Sequence, residues 1–215
     1  SHAPHAARKA IVISTGPNQH TYPVAPRPLP DAEEIALAMS AAPPAISAHA
    51  DVYAVRTTGA VKIRAGTNGL ACMVIRDPHP GSLYPMCFDR EAVKSAMRYE
   101  FFRATLRAKG TPEAQIEKEV EAAYARGELR MPTKPAISYM MSPQQILFTS
   151  PYKEGRRLGA WHPHLMISMP GTASSQLGMD STSQIDVMQL DRPGKGDAQL
   201  IVRVPHWANG MGVGS

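Results

Sequence analysis

The clearest alternation of apolar and polar positions lies between residues 51 and 76. Three runs there, "DVYAVRT", "AVKIRA" and "LACMVIR", are rich in β-branched side chains and are separated by "TG" and "TNG", the composition of short strands joined by tight turns. In the middle run Val61, Ile63 and Ala65 alternate with Lys62 and Arg64, which is the period of a strand with one buried and one wet face. The pattern predicts a three-stranded antiparallel meander with Cys72 on its third strand.

The period then changes. From Asp89, a good N-cap, the apolar positions Val93, Met97, Phe101, Ala104 and Ala108 form one helical stripe and Tyr99, Phe102 and Leu106 a second, ending at Gly110. A helix with two apolar stripes packs on two sides. A second helix follows, with Thr111 as N-cap, Pro112 at its first position, a core face of Ile116, Val120, Ala123 and Tyr124, and Gly127 as its stop. The first helix is basic outside (Lys94, Arg98, Arg103, Arg107) and the second acidic (Glu113, Glu117, Glu121). The pair therefore reads as a helical hairpin with mutually attractive faces. A shorter helix over 31–42 is predicted upstream, where Asp31 and Glu34 form a capping box and the prolines at 43–44 end it.

The last third returns to strand character in "AISYMMS", "WHPHLMISM", "QIDVMQL" and "QLIVRV", with a short helix expected at Ser142 and a Gly/Ser-rich loop after the second run. Residues 1–30, rich in Pro, Ala and His, read as an extended arm with a short strand at 10–14. The expected fold is α+β: an antiparallel β-sheet from 51–76 and 161–204 packed against a helical hairpin (90–126) and a shorter helix. This makes one domain over 31–209, preceded by the arm and followed by a flexible tail at 210–215.

Composition narrows the class. The 215 residues carry 23 Lys and Arg against 18 Asp and Glu, a net charge of +5. The basic residues are dispersed, and only four Phe are present for base stacking, so no nucleic-acid partner is expected. No apolar run approaches the ~20 residues of a membrane span, and no integral membrane segment is expected. A start of "SHAPHAARKA" fits the residue preferences after signal-peptidase cleavage. Export would pair the two cysteines, Cys72 and Cys87, across a loop of about 15 residues worth roughly 3 kcal/mol; in a reducing compartment both would be small buried apolar side chains.

Signatures of serine hydrolases, zinc peptidases, dithiol oxidoreductases, EF-hands and phosphate loops are all missing. What remains is "WHPHLMISM". On a strand, His162, His164, Met166 and Ser168 share one face and Trp161, Pro163, Leu165, Ile167 and Met169 the other. The second set needs only a core. The first places two imidazoles about 7 Å apart, and Pro163 marks a strand start or an edge, where side chains stay accessible. Tyr139 and His206, which ends the last predicted strand in "VPHW", are candidate neighbours. His2, His5 and His79 are further imidazoles within reach of a metal-site reading.

"GTNGLACMVIR", "PMCFD", "SYMMS" and "WHPHLM" together resemble uncharacterised exported proteins of bacteria over about residues 31–170. The resemblance implies export and a single domain, and no mechanism or catalytic residue. Three functions follow as expectations. The first is an exported, periplasmic or extracellular protein that binds a small molecule or anion in a pocket lined by His162, His164, Tyr139 and His206. The second is a hydrolase-like enzyme with a strand histidine as general base. The third is a Zn or Cu protein using His162 and His164. The sequence names no particular cofactor.

Overall fold

The computed structural model describes residues 10–12, 21–23, 29–76, 83–145, 148–149, 156–157, 162–177, 185–190 and 197–213. The strands are β1 (Ala10–Val12), β2 (Thr21–Pro23), β3 (Asp51–Arg56), β4 (Gly59–Arg64), β5 (Ala71–Arg76), β6 (Leu83–Phe88), β7 (Ala136–Met140), β8 (Phe148–Thr149), β9 (Arg156–Arg157), β10 (His164–Met169), β11 (Ile185–Leu190) and β12 (Asp197–Arg203). The helices are α1 (Asp31–Met39), α2 (Pro44–Ser47), α3 (Arg90–Lys94), α4 (Ala96–Ala108), α5 (Glu113–Ala125) and α6 (Ser174–Leu177). Eight strands form one sheet in the order β11-β12-β10-β7-β6-β5-β3-β4, while β1–β2 and β8–β9 are separate two-stranded ladders. The fold is α+β and its sheet is mostly antiparallel.

The core is organised by β5 and β6. Residues Ala71–Ile75 are buried without interruption, and so are Pro85–Phe88, so both faces of this pair are covered. On one face Val52, Cys72, Val74 and Cys87 meet Ala38, Ala41 and Ala42 at the end of α1 and just beyond it. These small side chains let the helix backbone come close to the sheet. On the other face Met73, Ile75, Met86 and Phe88 meet Ala92 of α3 and Met97 of α4. α5 packs on the outer side of α4, where Ile116, Val120 and Ala123 meet Tyr99, Phe102 and Leu106. The two apolar stripes read along residues 93–108 are thus used as expected, one on the sheet and one on α5.

Four local expectations are corrected. The first three sheet strands are not an antiparallel meander: β3 lies between β4 and β5, antiparallel to the first and parallel to the second. The connection from β4 to β5 crosses the start of β3, held by the N–H groups of Thr67 and Asn68 on the His49 carbonyl (2.8 and 3.2 Å) and by Gly66 N–H on Asp51 Oδ1 (2.7 Å). Gly66 lies so close to the backbone of Ala50 and Asp51 that a Cβ there would collide with it.

Glu34 is no capping-box residue either. It is fully buried, and the Arg76 guanidinium grips both of its oxygens at 2.7 and 2.6 Å. A buried carboxylate needs several donors to offset its desolvation, and Leu29 N–H supplies another at 3.1 Å. Helix α1 instead starts after Pro30 without a side-chain cap, and Asp31 pairs with Arg56 at the surface (2.7 Å).

The long helix is interrupted at Ser95, which leaves helical geometry (φ −123°, ψ −85°). α3 is tied to β7 through Asp89, which caps it by accepting from Glu91 and Ala92 N–H and also accepts from Ile137 N–H (3.0 Å). α4 is tied to the core by Met97, and the chain turns between the two attachments. Thr111, finally, does not cap α5, which begins at Glu113 after Pro112 with no side-chain cap, and the Glu113 carboxylate is engaged by α4.

That engagement yields a prediction. Arg107 Nε donates to Glu113 Oε1 at 2.6 Å, and Arg103 reaches Glu117 at 2.9 Å. The hydrogen bond from Arg107, with the charges of Arg107 and Arg103, outweighs partial burial and holds the Glu113 carboxyl below the usual glutamate range. A depressed carboxylate pKa contributes stability above the unfolded-state value, about 4.3 for Glu, and loses it as pH falls through the folded value. Glu113→Gln should cost about 1 kcal/mol in urea unfolding at pH 7, and the difference from the parent should shrink as pH falls below about 4. A gap that is constant across this range would contradict the pairing.

Candidate functional site

The site begins with the alternation of β10. His164, Met166 and Ser168 turn to the face that carries α3 and α4, and each lines a cavity of about 320 Å³. Cross-strand register fills in the floor. Met166 stands between Ser138 of β7 and Ile201 of β12, Ser168 is opposite Gln199, and His164 is opposite Met140. Met86 and Phe88 of β6 extend the apolar part. The wall is the start of α4, with Ser95, Ala96, Tyr99 and Glu100, and the 130–132 loop closes the remaining side. An apolar floor carrying a few polar groups is the usual make-up of a small-molecule pocket.

The polar groups are unevenly satisfied. His164 is 1% exposed, and its Nδ1 lies 2.8 Å from the His162 carbonyl oxygen. A carbonyl only accepts, so Nδ1 carries the hydrogen and, in the neutral ring, Nε2 holds the lone pair. Ser138 and Ser168 are 4% and 6% exposed, and among the described residues neither hydroxyl has a hydrogen-bond partner. Both face the cavity. Tyr99 Oη accepts from Arg103 Nη1 at 2.7 Å, which fixes that ring on the cavity wall.

The other expected site residues fall elsewhere. His162 precedes the strand and is exposed. Tyr139 belongs to the opposite face, packed with the core under α1; burial, followed by the Asp89 charge, pushes its phenol up. His206 is exposed in a bridge to Gly212. It sits in a turn whose hydrogen bonds continue to Val213, where Val213 N–H donates to the Pro205 carbonyl (3.1 Å). Trp161, His2, His5 and His79 lie outside the described residues. Among the described residues no three His, Cys, Asp or Glu side chains stand together as a metal would require.

Cys72 and Cys87 form a disulfide between directly opposed positions of β5 and β6, with Cα atoms 4.0 Å apart. No described helix is long and apolar enough to cross a membrane.

Several lining residues carried a sequence signal. Ser168 shares the period-two face of His164, and Ser138 stands two residues before Met140 in a strand whose buried positions alternate. Ser95 and Ala96 carried none, because the break between α3 and α4 arises from tertiary attachment. Comparison with protein-family models, curated proteins and solved structures gives no match. Fold and cavity therefore define the class as far as it goes: an α+β protein with an apolar, His- and Ser-bearing cavity between sheet and helix.

The two histidines should separate in stability. His162→Ala removes an exposed ring and should change urea unfolding by less than about 0.5 kcal/mol. His164→Ala empties a buried position and removes a hydrogen bond, and should cost about 2 kcal/mol. Equal effects would contradict their different burial.

Proposed function

We propose that this is an exported ligand-binding protein whose small-molecule ligand occupies the cavity at His164. The observation that carries the reading is the cavity's make-up: thioether and aromatic groups from Met86, Phe88, Met140 and Met166 beside buried hydroxyls of Ser138 and Ser168. Hydroxyls that face a cavity and bond no described side chain are what a ligand's polar group can engage. Export is supported by the Cys72–Cys87 disulfide, since such bonds persist mainly in oxidising compartments.

A second reading, a hydrolase-like enzyme, is favoured by the His164 tautomer. The bond from Nδ1 to a carbonyl orients the ring and leaves Nε2 as the basic nitrogen.

The neutral fluorophore N-phenyl-1-naphthylamine tests the binding reading. Its fluorescence should rise saturably with the parent protein. The rise should be lost in Met166→Trp, which fills the cavity, and retained in Thr105→Trp, a substitution on the far part of α4 outside the cavity lining. Near-UV circular dichroism reports whether each variant keeps its packing. An enhancement equal in parent and folded Met166→Trp, or none in the parent, would refute the reading.

A further inference from the structure

The interruption at Ser95 does more than shape the wall. It starts a 13-residue helix, α4, at the cavity itself, because Ser95 and Ala96 both line it. The first backbone N–H groups of a helix have no acceptor within the helix, and together they carry roughly half a positive charge. At α4 no side chain caps them and no acidic residue stands in the first turn. Ser95 does not serve, since its hydroxyl donates to the Glu91 carbonyl at 2.9 Å.

A bare helix N-terminus is not in itself a binding site. Here a separate observation points the same way: Ser138 and Ser168, each more than nine-tenths buried, line the same cavity with hydroxyls that have no partner among the described residues. A hydroxyl can donate to an anion. The sheet therefore offers buried donors beneath a space whose wall is the positive end of a helix. The rest of the floor is apolar, from Met86, Phe88, Met140, Met166 and Ile201. Glu100 also lines the cavity one turn into α4, and its charge acts on Arg103.

Resting on the ligand-binding reading above, we infer that the ligand is an organic monoanion, a carboxylate on a compact apolar body. The acid group is held by the α4 N-terminus with the Ser138 and Ser168 hydroxyls, and the body lies on the methionine-rich floor. A single negative charge matches this set, in which a helix end and neutral donors lie inside the cavity, while the charged lining residues, Glu100 and the exposed Arg130, offset each other. The apolar floor excludes small inorganic anions as the preferred occupant, since they would leave it unfilled.

The test is competition for bound N-phenyl-1-naphthylamine at pH 7 by hexanoate and by hexanamide, its neutral counterpart of nearly equal shape. Hexanoate should displace the fluorophore at a concentration at least tenfold lower. Ala96→Asp places a negative charge in the first turn of α4, which favours the helix itself, and should abolish that preference. Ala96→Asn, of the same size and uncharged, should keep it. The double variant Ser138→Ala/Ser168→Ala should weaken hexanoate at least fivefold. Equal displacement by the two compounds, an Ala96→Asp protein that retains the preference, or an unchanged double variant would each overturn the monoanion assignment. If the fluorophore binds and hexanoate fails to displace it, the assignment falls and the ligand-binding reading stands. If the fluorophore itself does not bind, both fall.

Discussion

Burial of β5 and β6 on both faces is the constraint from which the rest of the arrangement follows. A strand pair covered from both sides needs a helix layer on each, and the chain supplies α1 with its alanines on one face and α3 with α4 on the other. Met97 and Phe88 fix α4 at the sheet centre, and from there the helix runs out over β3 and β4. Its N-terminal end is thereby left facing β7, β10 and β12. The disulfide joins the two central strands at the middle of this packing, and the Glu34–Arg76 pair ties α1 to the end of β5.

The cavity is the consequence of a sheet wider than the helix layer above it. Beyond β7 the sheet continues through β10, β12 and β11, and the chain leaves helical geometry at Ser95. The uncovered floor is not uniformly apolar, as a dry core would be. It holds an imidazole and two hydroxyls among methionines. Polar groups set into an apolar floor are commonly found where a protein meets a ligand.

Much of this was legible in the residues, and the exceptions share a cause. Strand and helix periods located β3 to β5, β7, β10 to β12, the helical hairpin and its charged contact, because those signals are local; β6, with Pro85 inside it, reads from sequence as a Pro-rich loop. The face shared by His164, Met166 and Ser168 was also local, and it proved to be the cavity floor. The parallel pairing of β3 with β5 was not legible, since it depends on a connection that crosses Asp51 and on the close approach at Gly66. Glu34 imitated a capping box while its partner, Arg76, lay 42 residues away. Grouping His162 and His206 with His164 failed for a similar reason. Strand alternation holds only inside the strand, and β10 begins at His164, so His162 lies outside the alternation that was applied to it.

The central claim is that the start of α4 and the sheet floor form one anion-accepting site. Amide and side-chain chemical shifts during a titration with hexanoate test it most directly. The account predicts that the largest saturable changes occur at the backbone amides of Ala96, Met97 and Arg98, accompanied by Ser138 and Ser168. Changes confined to exposed basic residues such as Lys94 and Lys109, with the amides at the start of α4 unmoved, would contradict it.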